Sequence, residues 1–86
     1  MINVFYNMNT TNSYQKFDLG LSDNLTITND DAANAIAISN DGTNLIGLLY
    51  AGESLTFREV GKCQDLTVYL KANVNNAFSK FRLWGW

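Results

Sequence analysis

The sequence predicts an all-β protein, a small antiparallel β-sandwich or barrel of about seven to eight short strands. Three observations support this prediction. Apolar and polar residues alternate at a period of two through most of the chain, turn-forming Asn and Gly residues separate the alternating segments, and no segment keeps a helical period for about ten residues. Because crossover helices are therefore lacking, we expect the strands to pair in antiparallel fashion within one domain over residues 1–86.

The first part of the chain has the least regular pattern. Residues 2–6 are β-prone and predict a strand, residues 7–13 are polar and predict a loop, and residues 14–19 predict a second short strand. The same pattern also allows residues 1–13 to form an N-terminal arm that lies on a neighbouring subunit.

Residues 24–29 carry the clearest strand pattern. Leu25 and Ile27 share one face. Thr26 and Thr28 share the other face. This alternation is typical of a strand with one buried side.

Turn signals define the centre of the chain. Residues 30–35 begin with two aspartates and predict either a turn or a single helical turn. Residues 35–39 predict a strand with its isoleucines towards the core. The Asp41-Gly42 pair then predicts a hairpin turn into a strand over residues 45–50, because Gly adopts positive φ without steric cost.

Two further strands follow. Residues 51–54 predict a tight turn, and residues 55–60 predict a strand with Leu55 and Phe57 directed inward. Residues 65–70 alternate again and predict the next strand.

The last predicted strand, residues 78–86, ends in an aromatic tail. By alternation Phe81 and Leu83 share one face. The other face would hold Arg82, Trp84 and Trp86. If the first face is buried, both tryptophans project outward, and exposed apolar patches usually mark contact surfaces. If instead the second face points to the core, both tryptophans are buried. The sequence does not decide between these two orientations of the strand.

The composition argues against several classes of function. The 86 residues carry a formal net charge of -2, no His and one Cys. Without His the chain lacks the usual general base and the commonest metal ligand, so Cys63 is expected to be a free, non-catalytic thiol. We expect no enzyme activity, no catalytic residues, no bound metal and no cofactor. Only six residues are basic, which argues against nucleic acid, and no apolar run approaches the ~18 residues that would cross a membrane.

The acidic residues are expected to be turn and surface residues. Glu53 and Glu59 stand at the two ends of one predicted strand, and so small a chain rarely frames a cleft between two carboxylates. Asp41 is close to Thr43 and Asn44, but the spacing of a calcium-binding loop is not met.

The small size and low charge predict association with other subunits. Hydrophobic residues make up 47% of the chain and charged residues only 16%. A domain this short buries only a little over ~60% of its unfolded surface, so contact between subunits would add to its stability. We therefore expect a homo-oligomer, for which a trimer is one arrangement.

The order of several segments resembles the small β-sandwich modules of tailed-bacteriophage virions. The resemblance covers about residues 24–86, and its most specific part is the Ala-Gly-Glu-Ser turn that leads into a Thr-Phe strand. The segments that carry it are Leu25-Thr26-Ile27-Thr28-Asn29, Ala35-Ile36-Ala37-Ile38 before Asn40-Asp41-Gly42, Ala51-Gly52-Glu53-Ser54-Leu55-Thr56-Phe57, Leu66-Thr67-Val68-Tyr69-Leu70-Lys71-Ala72 and Phe81-Arg82-Leu83-Trp84. Such modules are similar to capsid decoration proteins, head-fibre bases and tail accessory proteins.

The resemblance implies a structural, oligomeric virion component that is made in the cytoplasm of the host bacterium. We expect it to decorate a capsid or anchor a head fibre by adhesion to the major capsid protein or to other virion proteins. The residues expected at its interfaces are Trp84, Trp86, Arg82, Tyr50, Tyr69 and Arg58.

Two alternatives remain open at the level of the sequence. The first is a carbohydrate or host-receptor binding module that uses Trp84, Trp86 and Tyr50 as stacking platforms. The second is a host-directed inhibitor made early in infection, which would be absent from purified particles.

Overall fold

The computed structural model describes residues 3–58, 66–73 and 78–86, and for residues 3–9 it describes the backbone alone. A strand is present in each segment for which the sequence predicts one. The strands are β1 (Asn3–Asn9), β2 (Gln15–Asp18), β3 (Leu25–Asn29), β4 (Ile36–Ser39), β5 (Gly47–Leu49), β6 (Ser54–Phe57), β7 (Thr67–Ala72) and β8 (Lys80–Gly85). The described residues contain no helix that is long and apolar enough to span a membrane.

The strands form two four-stranded sheets. Sheet A has the order β1-β8-β3-β6 and sheet B the order β2-β7-β4-β5. All strand pairs are antiparallel. This order is that of an eight-stranded jelly roll, in which the chain alternates between two packed sheets. The predicted all-β antiparallel fold is confirmed, and of its two alternatives, sandwich or barrel, the strands form the sandwich.

The core lies between the inner faces of the two sheets. Its centre includes an edge-to-face contact between the rings of Phe17 and Phe81, with centroids 5.2 Å apart and planes at 73°. Phe57 packs against this core from the side and is only partly buried. The buried cluster consists of Phe17, Leu19, Leu25, Ile27, Ile36, Ile38, Leu49, Leu66, Val68, Leu70, Phe81 and Leu83.

Two expectations about the centre of the chain need correction. Residues 30–35 form no helical turn, because Asp31 Oδ2 accepts the N–H groups of Ala33 and Asn34 and holds the segment as a loop. The strand predicted over residues 45–50 is shorter and starts at Gly47.

The inward direction predicted for Leu55 is also only partly met. Leu55 pairs with the buried Ile27 and so lies on the inner side of sheet A. It is nevertheless 37% exposed, because β6 is the last strand of that sheet.

The N-terminal segment contributes a strand to sheet A. Residues 3–9, within the range for which the sequence also allowed an arm, pair with β8 of the same chain. The loop predicted over residues 7–13 is therefore wrong for residues 7–9, which continue the strand. An arm made from these residues would have to leave this sheet. The predicted free thiol Cys63 and the acid Glu59 lie outside the described residues.

Candidate functional site

The outer face of sheet A holds two of the side chains that the sequence singles out, Arg82 and Trp84. Because strand residues alternate between the two faces, burial of Phe81 and Leu83 at 0% exposure places their neighbours Arg82 and Trp84 on the outside. We call this surface the Trp84 face. It is formed by Thr26, Thr28, Ser54, Thr56, Arg82 and Trp84.

Arg82 is the centre of the charged part of the Trp84 face. Its Nε donates to Asp30 Oδ2 at 2.7 Å and its Nη2 donates to Asp30 Oδ1 at 3.0 Å. The guanidinium carbon lies 5.2 Å from the centroid of the Trp84 ring, within the range of a cation–π contact. The ion pair is partly open to solvent, with side-chain exposures of 40% for Arg82 and 25% for Asp30, so it orients the guanidinium more than it stabilises the fold.

A ladder of hydroxyl groups continues this surface across β3 and β6. Thr26 Oγ1 and Thr56 Oγ1 share a hydrogen bond of 2.9 Å. Thr28 Oγ1 and Ser54 Oγ share one of 2.7 Å. Since Thr26 pairs with Trp84 across β3 and β8, the ladder begins beside the indole ring.

Trp86 and Arg58 lie at one end of sheet A. Gly85 and Phe57 both pair with Leu25, so the residues that follow them leave the sheet at the same end. Trp86 is 39% exposed, and Arg58 is exposed as well. The backbone carbonyl of Trp86 accepts the N–H groups of Asp23 and Asn24, which fixes the chain at this point.

Tyr50 and Tyr69 belong to sheet B and not to the Trp84 face. Tyr50 follows β5 directly and is 60% exposed. Tyr69 lies in β7 on the outer side of sheet B, where its ring approaches Gly42 so closely that a Cβ there would lie 3.1 Å from it. The structure therefore brings Trp84, Arg82, Trp86 and Arg58 to one sheet and leaves the two tyrosines elsewhere. Whether any of these residues forms an interface remains a prediction.

Asp41, which the sequence analysis weighed as a calcium ligand, and Asp31 each stabilise the turn in which they lie. Asp41 Oδ1 accepts the N–H groups of Thr43 and Asn44 and the hydroxyl of Ser39. The bonds from the Asn44 and Thr43 amides hold the pKa of the Asp41 carboxyl well below its usual range. Amide donors of Asn34 and Ala33 lower the pKa of Asp31 in the same way. In the part of the chain that the structure describes, no three potential metal ligands come together.

Sequence reasoning did not identify two components of the Trp84 face. The sequence indicated only that Asp30 lies in a turn. Its ion pair with Arg82 joins segments that are far apart in the chain. The hydroxyl ladder had a partial signal, because Thr26 and Thr28 alternate with core residues. Their partners on β6 could not be named until the register of β3 and β6 was known.

No protein-family model matches the chain, and no curated protein matches it by sequence. Solved structures do resemble it. A de novo designed double-stranded β-helix has a TM-score of 0.55 and 20% identity, over 96% of this chain and 95% of that chain. The SPBc2 prophage-derived protein YomS has a TM-score of 0.58 and 12% identity, over 99% of this chain and 92% of that chain. A protein of unknown function from Acinetobacter sp. ADP1 has a TM-score of 0.53 and 11% identity, over 95% of this chain and 64% of that chain.

At these identities the likeness establishes the fold alone. The strand order and the similarity to a double-stranded β-helix agree, since both describe two packed antiparallel sheets formed by a chain that alternates between them.

Proposed function

We propose that this chain is a structural protein of a bacteriophage particle and that it acts by adhesion to other particle proteins through the Trp84 face. The observation that supports adhesion is a half-buried Trp84 beside a guanidinium that is already oriented by Asp30. Trp and Arg are the residues most enriched at interface hot spots, and an oriented side chain loses less freedom when a partner binds.

The phage assignment has separate support. The jelly-roll fold is common among viral capsid domains, and one of the similar structures is described as prophage-derived. The resemblance of residues 24–86 to virion modules points in the same direction. The proposed partners are a second copy of the chain and the major capsid or other virion proteins.

Mass spectrometry of purified particles tests this proposal. We expect the chain in intact particles at a copy number set by particle symmetry, and its absence from them would contradict a virion role. Particles that lack the protein should bind it again when it is added, and Trp84→Ala should weaken that binding at least about tenfold.

Tyr50→Ala is the matched control for this binding experiment. It removes an aromatic ring that is 60% exposed but lies outside the Trp84 face. Loss of binding in Tyr50→Ala with full binding in Trp84→Ala would place adhesion on sheet B and contradict the proposed site.

A carbohydrate or host-receptor binding module is the second candidate. The favouring observation is the combination of an indole ring, a bidentate Arg82–Asp30 pair and a row of hydroxyl groups on one open sheet face. Aromatic rings stack on sugar faces, and fixed polar groups beside them orient hydroxyl groups of the ligand.

Tryptophan fluorescence distinguishes this candidate. In a Trp86→Phe background, a sugar that stacks on Trp84 should change the remaining indole emission in a saturable way. No change with a panel of bacterial surface glycans would exclude sugar stacking at the Trp84 face.

A further inference from the structure

Each sheet of the sandwich ends in two edge strands, and these differ in how they are protected. The edges are β1 and β6 in sheet A and β2 and β5 in sheet B. An edge strand presents unpaired backbone N–H and C=O groups that can pair with another chain. Proteins commonly limit this pairing with bulges, charged side chains or very short strands.

Three of the four edges in the described part of the chain carry such a feature. The pairing of β1 with β8 shifts register between Phe5 and Met8. The exposed positions of β2 include the charged residues Lys16 and Asp18. The edge strand β5 spans only three residues.

The edge strand β6 (Ser54–Phe57) is four residues long and has neither a bulge nor a charged side chain within its described residues. It keeps an unbroken register with β3 through its whole length and carries no charged side chain. On its inner side Leu55 is 37% exposed, and Phe57 is only partly buried against the core. The apolar interior of the sandwich is therefore incompletely covered beside an open row of backbone groups.

The hydrogen-bond pattern shows which backbone groups of β6 are open. The Asn29 N–H donates to the Glu53 carbonyl at 2.9 Å, while Asn24 and Trp86 exchange two backbone hydrogen bonds. In β3, odd-numbered residues therefore bond towards β6 and even-numbered residues towards β8. It follows that Leu55 and Phe57 direct their backbone groups to β3, while Ser54 and Thr56 direct theirs outward.

We propose that β6 pairs with β6 of a second copy of this chain in an antiparallel, two-fold symmetric dimer. A two-fold axis perpendicular to the sheet at Leu55 keeps the core side of both copies on one face. Leu55 then lies opposite Leu55 of the second copy in a close, non-hydrogen-bonded pair, and Ser54 exchanges backbone hydrogen bonds with Thr56 of the second copy.

The charges at the two ends of β6 favour this antiparallel arrangement. Glu53 precedes the strand and Arg58 follows it. Antiparallel pairing brings the Arg58 end of one copy to the Glu53 end of the other, whereas parallel pairing would bring like charges together. The hydroxyl ladder would also continue across the axis, since Thr56 of one copy would face Ser54 of the next.

The expected dimer is weak in solution. The strand is short, and a backbone hydrogen bond contributes about 1 kcal/mol net, so the dimer should form at high micromolar concentration. This inference rests on the proposed function, which names a second copy of the chain as a partner, and it specifies the strand through which the two copies pair. It can be tested without any phage particle. Its failure would leave the particle experiment unaffected.

Sedimentation equilibrium of the purified chain up to about 1 mM tests the proposal. We expect a reversible approach to twice the mass of one chain, 9.6 kDa. A chain that stays monomeric over this range, or that forms a trimer instead, would overturn the β6 dimer.

Two substitutions locate the interface. Leu55→Lys puts two like charges at the two-fold axis, and Thr56→Pro removes an outward N–H without removing a hydrogen bond to β3. Each should weaken the dimer at least about tenfold while circular dichroism shows a retained β fold. Ile46→Lys is the matched control, because Ile46 is 51% exposed and directly precedes the edge strand β5 of sheet B. It should leave the dimer unchanged.

A disulfide test fixes the register. In a Cys63→Ser background, Leu55→Cys should form an intermolecular disulfide in air, because a close antiparallel pair brings the two Cβ atoms within reach. Ile46→Cys in the same background should not. Equal cross-linking of the two variants would contradict the proposed axis.

Discussion

Asn29 shows how one buried polar side chain connects both sheets. It is 0% exposed, and its Nδ2 donates to the carbonyls of Asn34 and Leu49 at 2.9 Å each. Its Oδ1 accepts the Asp31 N–H at 2.9 Å. The sequence identified Asn29 only as a turn former, because its long-range bond to Leu49 depends on the packing of β3 against β5 and not on a local pattern.

Asn29→Ala should lower the free energy of unfolding by about 1–3 kcal/mol, because it leaves the Asp31 N–H without its partner and removes one hydrogen bond each from the Asn34 and Leu49 carbonyls. Urea denaturation followed by circular dichroism measures the change. Asn24→Ala is the control: its Nδ2 makes an exposed bond of 3.2 Å to the Trp86 carbonyl, and its loss should cost less than about 1 kcal/mol. Equal losses in the two variants would contradict the role assigned to Asn29.

Gly85 occupies a position where β8 passes close to the loop after β2. A Cβ there would lie 2.8 Å from Leu19 Cβ and 3.0 Å from Ser22 Oγ. Since Leu19 is fully buried, it has little room to move.

Gly85→Ala is therefore expected to destabilise the fold by about 1–3 kcal/mol through overpacking. Gly47→Ala is the matched control, because nothing lies within 4 Å of the Cβ it would add. Thermal unfolding of the two variants compares them directly. A melting temperature of Gly85→Ala at or above that of Gly47→Ala would contradict this prediction, because it would show that the loop moves aside without loss of stability.

At the scale of elements, the turn between β4 and β5 is organised by a single carboxylate. Ser39 supports the turn from the end of β4, where its Oγ accepts the Gly42 N–H at 3.0 Å and donates to Asp41 Oδ1 at 2.9 Å. The Asp41-Gly42 pair thus predicted the turn correctly, and Gly42 has the positive φ, 83°, that such a turn requires.

The Asp41 turn predicts a pH dependence of stability. The folded-state pKa of Asp41 lies below the unfolded value of ~3.9, so its contribution is fully present above that value and is lost as the pH falls towards the folded pKa. Asp41→Asn should therefore be less stable than the native chain at pH 6, and the difference should shrink below about pH 4. Denaturation at a series of pH values measures it, and a difference independent of pH would contradict this mechanism.

The elements differ in how well local patterns predicted them. Strands β3 and β7 were predicted closely, because each has one buried face and its residues alternate clearly. The sequence overestimated the length of β5, because Leu45 and Ile46 are apolar but exposed in the loop before it. The sequence alone does not show whether a short run of apolar residues is buried in a strand or exposed in the loop before it.

At the scale of the whole molecule, the sequence predicted an antiparallel β-sandwich or barrel but not which strands are neighbours. Pairing of β1 with β8 and of β2 with β7 joins opposite ends of the chain, and no local signal specifies such contacts. The Trp84 face was predicted only in part for the same reason. Alternation placed Arg82 beside Trp84, but Asp30 and the hydroxyl ladder come from strands whose proximity depends on the complete topology.

The position of β8 also affects how the chain can fold during its synthesis. The ribosome makes β8 after the other seven strands, yet β8 lies between β1 and β3 in sheet A. Until residues 80–85 leave the exit tunnel, β1 lacks its partner, and the side of β3 that faces β8 stays open. Sheet A should therefore close only after these residues have emerged, and a nascent chain stalled before that point would expose Leu25 and Ile27 to chaperones.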